Sequence, residues 1–116
     1  MTYTGQNIEI YQGDTKYIDV TVDDGSGNYV NLTGSAVAWV VYRPTSGDVV
    51  LSKTTVSGVS ITDEAGGKFR ITLYPVDTEN LFGQYNHEGE LTDPQSNVFT
   101  LFTGYFKVFL AKLRRN

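Results

Sequence analysis

The sequence predicts an all-β fold, an antiparallel β-sandwich of seven to nine strands in a single domain spanning residues 1–116. Short segments with alternating apolar residues follow one another at regular intervals, and clusters of Gly, Asp, Asn and Ser separate them. Eight Tyr and six Phe, together with many Val and Thr, also favour strands. No segment of useful length has the helical period, so a βαβ arrangement is excluded.

The elements follow in chain order from these alternations. In Lys16–Val22 the residues Ile18, Val20 and Val22 point inward, and Ala36–Arg43 is a buried strand that carries the only tryptophan, Trp39. The other expected segments are the strand Asn7–Tyr11, the turn Asp23–Asn28, the short edge segment Tyr29–Gly34, the strands Val49–Thr55, Val59–Asp63, Lys68–Tyr74 and Gln84–Asp93, a short helical turn within Asp77–Phe82, and the last and longest strand, Val98–Leu110.

Two glycine positions in this pattern carry specific expectations. The residues Glu64–Gly67 form the tip of a hairpin between two of the strands. Gly104 lies inside the last strand, where it indicates a bulge or a bend.

Composition and charge exclude several classes of site. The chain has no cysteine and one histidine, His87, which excludes disulfides and Cys-based metal sites. Its N-terminus lacks the pattern of a signal peptide and no apolar run is long enough to span a membrane, so synthesis in a cytosol and no membrane association are expected. The acidic body disfavours nucleic-acid binding.

The net charge of −4 is unevenly distributed along the chain. Residues 1–93 hold 13 acids and five bases, a net of −8, whereas residues 94–116 hold four bases and no acid. The basic C-terminal segment, residues 110–116, contains Lys112, Arg114 and Arg115, which are the candidates for binding an acidic neighbour. A solvated terminus that keeps the protein soluble is the alternative.

Two short motifs are interpreted as structural. Gly13 and Asp14 lie between two alternating strands, which is ordinary turn chemistry, with Asp14 placed to cap a backbone N–H. Gly83 and Tyr85 open a late strand directly after a turn, and this arrangement resembles the tyrosine corner of Greek-key sandwiches.

No constellation supports catalysis or a cofactor. Asp23, Ser26 and Asn28 resemble the start of a calcium loop, but the later glutamate and the flanking helices are missing, so a surface turn is the better interpretation. His87 and Glu88 point to opposite faces of a strand, and no nucleophile motif accompanies them. Glu88 and Glu90 share a face, but a small sandwich hardly supplies the deep cleft that a glycosidase pair requires.

Six tyrosines are candidates for the surface. They form either a sugar-stacking or protein-binding surface, or a cover for the core. They are Tyr3, Tyr17, Tyr29, Tyr42, Tyr74 and Tyr105.

Taken in order, several motifs resemble the immunoglobulin-like N-terminal domain of phage baseplate upper proteins and related domains of tailed-phage virions. The motifs are Gly-Asp-Thr at 13–15, Val-Asn-Leu-Thr-Gly at 30–34, Gly-Lys-Phe at 67–69, Asp-Thr at 77–78, the pattern formed by Gly83, Tyr85 and Glu88, and Gly-Tyr-Phe-Lys-Val at 104–108. The resemblance covers the chain from about Ile8 to Val108.

This resemblance implies an immunoglobulin-like sandwich that is a non-enzymatic structural or adaptor protein of a virion made in a bacterial cytoplasm. It implies other virion proteins as partners, usually within a homo-oligomer or larger multimer, and it implies neither catalytic residues nor a cofactor. In baseplate upper proteins long helical or fibre segments follow this domain, whereas this sequence continues only to Asn116, which favours a stand-alone adaptor, a head decoration or a tail-associated component. The alternative function is a carbohydrate-binding module for host-surface glycans.

Overall fold

The structure is a computed structural model, and it describes residues 2–113. In that part of the chain eight strands and one short helix follow one another. They are β1 (Ile8–Tyr11), β2 (Lys16–Thr21), β3 (Ala36–Tyr42), β4 (Val49–Thr54), β5 (Val59–Asp63), β6 (Lys68–Leu73), α1 (Pro75–Thr78), β7 (Gly83–Thr92) and β8 (Val98–Phe109).

These strands form two facing sheets. The larger sheet has the order β1-β8-β7-β3-β4, and the smaller sheet has the order β2-β6-β5. Alternate residues of each strand point between the sheets, so that Val37, Trp39 and Val41 of β3 are almost fully buried. The centre of the core is aromatic, with the Trp39 and Phe106 rings 5.7 Å apart in an edge-to-face arrangement. The predicted all-β sandwich is confirmed.

One strand pair departs from a purely antiparallel arrangement. β1 pairs in parallel with β8, and Ile8 lies opposite Phe106. After Gln12–Thr15 the chain crosses to the other sheet as β2, which pairs antiparallel with β6. Because β1 and β2 belong to different sheets, consecutive segments of the chain form the two walls of one side of the sandwich.

The segment Tyr29–Gly34, expected to be a short edge strand, is an irregular crossing between the sheets. Its only strand-like contact among residues 2–113 is an isolated bridge between Tyr29 and Asp23. Leu32 is completely buried, and its N–H donates to the Glu64 carbonyl at 2.9 Å. The segment closes one end of the core, so its backbone bonds to loops rather than to a ladder.

Two further expectations need correction. The register of β7 and β8 is continuous at Gly104, and the irregularity lies instead between Gly89 and Glu90. Gly104 is needed for space, because an added Cβ would lie 2.3 Å from the Gln6 carbonyl oxygen.

The short helix α1 begins two residues before the turn expected at Asp77. Pro75 suits the first helical turn, and the Asp77 carboxylate accepts the Tyr74 N–H at 2.8 Å. The hairpin tip at Glu64–Gly67 is found where it was expected, between β5 and β6. In residues 2–113 no helix is long and apolar enough to cross a membrane.

Candidate functional site: the open side of the sandwich

The four edge strands of the two sheets differ in regularity. The β4 ladder shifts register between Val41 and Tyr42, and the β5 ladder shifts between Ile61 and Asp63. Irregularities of this kind disfavour further pairing at an edge. The ladders of β1 and β2 have no register shift. These two regular edges lie on the same side of the sandwich, and we call them, with the cleft between them, the open side.

The cleft of the open side has a volume of about 440 Å³. Its walls are apolar where the two sheets face each other, with Ile8 and Phe102 on one wall and Ile18 and Val20 on the other. Polar groups surround this apolar region. They are Tyr3, Gln6, Asp19, Thr21, Asp23 and His87.

The backbone of β2 presents unpaired groups beside this cleft. The Val22 N–H donates to the Gly67 carbonyl at 2.7 Å, which sets the phase of the β2–β6 ladder. Since an antiparallel ladder uses alternate residues, Tyr17, Asp19 and Thr21 direct their N–H and C=O groups away from β6. Within residues 2–113 no backbone hydrogen bond from another segment reaches those groups. The edge is therefore available to an added strand.

Carboxylates give the rim of the open side a negative charge. Asp19 accepts hydrogen bonds from Arg70 Nε at 2.7 Å and Nη2 at 3.4 Å, and the guanidinium lowers the pKa of that carboxyl. Asp23 accepts from the Tyr3 hydroxyl at 2.7 Å, and this hydrogen bond raises the pKa of Tyr3. With Asp24 next in the chain, three carboxylates face one guanidinium on this rim, so it attracts cations.

His87 lines the inner end of the cleft and is only 1% exposed. The Trp39 indole N–H donates to His87 Nδ1 at 2.9 Å, so Nδ1 carries no proton and Nε2 donates to the Gln6 carbonyl at 2.5 Å. Burial lowers the pKa of His87, and the hydrogen bond to Gln6 opposes that shift. Both ring nitrogens are thus engaged, and the imidazole is held neutral as part of the core.

The turn and corner residues predicted from the sequence occupy one end of the sandwich. Gly13 has φ of +75°, and its N–H donates to Thr78 Oγ1 at 3.0 Å. Asp14 follows in the turn, where its N–H donates to the Tyr11 carbonyl at 3.2 Å. Gly83 has φ of +99°, which turns the chain into β7. The buried Tyr85 donates its hydroxyl to the Phe82 carbonyl at 3.3 Å and accepts the Phe82 N–H at 3.2 Å.

The basic C-terminal segment begins at this same end. Ala111 is buried, and its N–H donates to Gln12 Oε1 at 3.2 Å. Lys112 is exposed, whereas Leu113 is 98% exposed despite being apolar. Arg114 and Arg115, the other two candidates for partner binding, lie outside the described residues.

The tyrosines do not assemble into a stacking platform in the described part of the chain. Tyr3, Tyr17, Tyr29 and Tyr74 are exposed, whereas Tyr42 and Tyr105 are half-buried. Arg70 covers the Tyr17 ring at 4.8 Å and Lys53 lies 5.3 Å from the Tyr74 ring, but no two of the six rings pair. The larger clefts contain one tyrosine, Tyr3.

The loop that resembles the start of a calcium site is held by its own hydrogen bonds. Asp24, rather than Asp23, organises it by accepting the N–H groups of Ser26 at 2.8 Å and Asn28 at 3.3 Å. Asp93 does the same for Gln95 and Asn97, both at 2.9 Å, in the loop before β8. Among residues 2–113 no three His, Asp or Glu side chains come together as a metal site.

Sequence reasoning did not find the link between His87, Trp39 and Gln6. One signal was present: His87 has the same inward parity as Tyr85 and Leu91 in its strand. The partners were not predictable, because Trp39 is 48 residues away and Gln6 is 81 residues away in the chain.

Comparisons with known proteins agree on the fold. The chain matches no protein-family model and no curated protein. Fibronectin(III)-like modules of Clostridium thermocellum CbhA share 14% identity, with 93% of this chain and 92% of that chain covered and a TM-score of 0.50. CopC from Methylosinus trichosporium OB3b shares 10% identity over 91% of this chain and 86% of that chain, with a TM-score of 0.50.

The NK cell receptor NKp44, described as a triggering partner in natural cytotoxicity, shares 15% identity over 92% of this chain and 98% of that chain, with a TM-score of 0.51. The fold is an immunoglobulin-like β-sandwich. In antibody domains a cysteine of the inter-sheet disulfide stands two residues after the corner tyrosine. Here His87 stands at that spacing from Tyr85, and its hydrogen bond to Trp39 lies where those domains place a covalent link.

Proposed function

We propose that this protein is a non-enzymatic assembly domain, an adaptor or structural component of a tailed-phage particle that works through contacts with other virion proteins. The observation that carries the proposal is the open side, where the regular edge of β2 lies beside an apolar cleft of about 440 Å³. Extended segments of other chains bind such edges by adding a strand, with main-chain hydrogen bonds for affinity and alternate side chains for specificity. The virion setting rests on the resemblance of the sequence motifs.

The state of His87 supports a non-catalytic role for the cleft. A general base needs a free nitrogen within reach of the substrate, but both ring nitrogens of His87 hold other groups of the fold. Asp19 and Asp23 are likewise hydrogen-bonded to Arg70 and Tyr3. The polar groups around the cleft therefore serve recognition and structure.

The test is the composition of particles produced from the genome that encodes this chain. After density-gradient purification, quantitative mass spectrometry is expected to find the chain at a fixed copy number per particle. Its absence from washed, intact particles would overturn the virion role.

A variant of the edge tests whether the open side carries the assembly. Thr21→Pro removes an N–H that points away from β6, so the fold is expected to persist while the chain is lost from particles. Thr21→Val is the matched control, because it keeps that N–H and is expected to be incorporated normally. Normal incorporation of Thr21→Pro would show that another surface makes the contact.

A glycan screen tests the carbohydrate-binding alternative. The large clefts provide one tyrosine rather than two or three coplanar rings, so no binding is expected with or without calcium. Saturable binding that is lost in Tyr17→Ala or Tyr74→Ala would replace the assembly proposal with a sugar-binding one.

A further inference from the structure

We infer that the open side accepts the basic C-terminal segment, residues 112–116, of a second copy of this chain, which adds as a strand to the edge of β2. This inference rests on the proposed function as an assembly domain and names its partner. Four properties of the described residues lead to it: the length of the free edge, the alternation of side chains, the charge and the reach of the segment.

The free edge and the segment match in length and in backbone chemistry. β2 has six residues, about 20 Å, and the five residues 112–116 extend over about 17 Å. The segment contains no proline, so each of its residues supplies an N–H to a ladder. The outward groups of Tyr17, Asp19 and Thr21 are its partners on β2.

The side chains of the segment alternate as the open side requires. In an extended strand Leu113 points to one face, and Lys112 and Arg114 point to the other. With Leu113 directed into the cleft, it covers Ile18 and Val20, and an apolar side chain that is 98% exposed becomes buried. Arg114 then lies on the outer face of the sheet beside Asp19, which is an opposite-charge cross-strand pair.

The charges of the two surfaces are complementary. Residues 112–116 carry three cations and no acid. The rim of the open side carries Asp19, Asp23 and Asp24 against the single guanidinium of Arg70. A carboxylate accepts about four hydrogen bonds, so Asp19 has capacity for a second cation beside Arg70.

The reach of the segment assigns it to a second copy rather than to its own cleft. Ala111 is fixed beside Gln12, at the end of the sandwich where β8 finishes. Asp23 lies near the other end, since it accepts from Tyr3, which bridges to Phe102. Phe102 to Phe109 spans about 23 Å, whereas Ala111 to Arg115 extends about 13 Å, so the segment does not follow its own cleft to Asp23. The contact is therefore heterologous, and it builds a ring or an open row of copies.

Disulfide trapping tests this inference directly, because the chain has no cysteine of its own. Protein with Lys112→Cys is mixed with protein carrying Thr21→Cys or Tyr17→Cys and exposed to mild oxidant. With Arg114 beside Asp19, an antiparallel strand places residue 112 opposite Thr21, and a parallel strand places it opposite Tyr17. Ser60→Cys, exposed on the opposite edge strand β5, is the matched control. A mixed disulfide with one of the two β2 positions and not with Ser60→Cys is expected.

Light scattering of the full chain over a range of protein and salt concentrations gives the second readout. The double substitution Arg114→Glu and Arg115→Glu is expected to weaken self-association about tenfold or more, and added salt is expected to weaken the unmodified protein. A monomer at all concentrations, unchanged association of the double variant, or equal trapping by Ser60→Cys would each overturn the inference. If the double variant is incorporated into particles normally while Thr21→Pro is not, the assembly domain stands and the occupant is another chain.

Discussion

Two residues of β7 hold the centre of this molecule, Tyr85 by its hydroxyl and His87 by its two ring nitrogens. Both point inward, and each bonds to a segment outside its own strand: Phe82 in the preceding turn, and Trp39 and Gln6 across the core. A buried polar group is stabilising when every partner is present and destabilising when one partner is removed. These residues therefore carry sharp expectations.

Tyr85→Phe is expected to lower the free energy of unfolding by about 1–2 kcal/mol, because the Phe82 N–H and C=O both lose their partner. Urea denaturation followed by circular dichroism measures the loss. Tyr29→Phe is the control, since Tyr29 is 64% exposed and is expected to change stability by less than about 0.5 kcal/mol. Equal effects of the two substitutions would show that the corner hydroxyl does not stabilise the fold.

His87 predicts a loss of stability in mild acid. An unfolded histidine has a pKa of about 6.5, and burial makes the pKa of folded His87 lower. As the pH falls through about 6.5 the unfolded chain binds the proton first, so the free energy of unfolding decreases until the folded-state pKa is reached. Urea denaturation between pH 7.5 and 5 measures this decrease.

His87→Gln removes the titrating group and is the control for that pH series. Its free energy of unfolding is expected to be lower at neutral pH but nearly flat between pH 7.5 and 5. Asp19, Asp24 and Asp93 have a lowered pKa, so their stabilisation is lost only at more acidic pH, below the ordinary carboxyl range. Parallel pH profiles of the two proteins would rule out His87 as the cause.

Among the elements, the N-terminal segment and β1 depend most on a single small residue. The backbone of residues 3–6 bonds to β8 through Tyr3 to Leu101 and Gln6 to Thr103, both at 2.9 Å. Gly104 allows this approach, and it brings the Gln6 carbonyl within reach of His87. The segment that forms one wall of the open side is therefore positioned by an absent side chain.

Gly104→Ala is expected to displace this segment and to lower the free energy of unfolding by about 1–3 kcal/mol, because the new Cβ meets rigid backbone rather than a flexible side chain. Hydrogen exchange by NMR is the measurement, and the N–H groups of Tyr3, Gln6 and Thr103 are expected to lose protection first. The N–H of Leu32, at the opposite part of the core, serves as the internal control. Uniform loss of protection across both regions would contradict a local displacement.

For the whole molecule, the imbalance of charge matters more than any surface ion pair. Residues 1–93 carry a net charge of −8, whereas two ion pairs, Lys53–Asp77 and Arg70–Asp19, are found in residues 2–113. Repulsion within the acidic body disfavours the compact state, and salt screens it.

The melting temperature is therefore expected to rise when NaCl is increased from about 0.02 M to 0.5 M at pH 7.5, where the Debye length falls well below 10 Å. Differential scanning calorimetry at low protein concentration measures this rise without a contribution from self-association. An Arg70→Gln variant, which lacks the cation of one ion pair, is expected to rise more steeply. A fall in the melting temperature with salt would show that attractive pairs dominate instead.

The sequence by itself determined the fold class, nearly all of the strand bounds and the inward faces, because alternation and turn residues are local properties of the chain. It also identified the turn at Gly13 and the corner position of Tyr85. The tertiary structure alone decided that β1 pairs in parallel with β8, that Leu32 closes the core, and that Gly104 admits the Gln6 carbonyl. It alone placed the edges of β1 and β2 on one side with a cleft between them, because contacts between residues distant in the chain depend on how the sheets pack, and no local pattern encodes that packing.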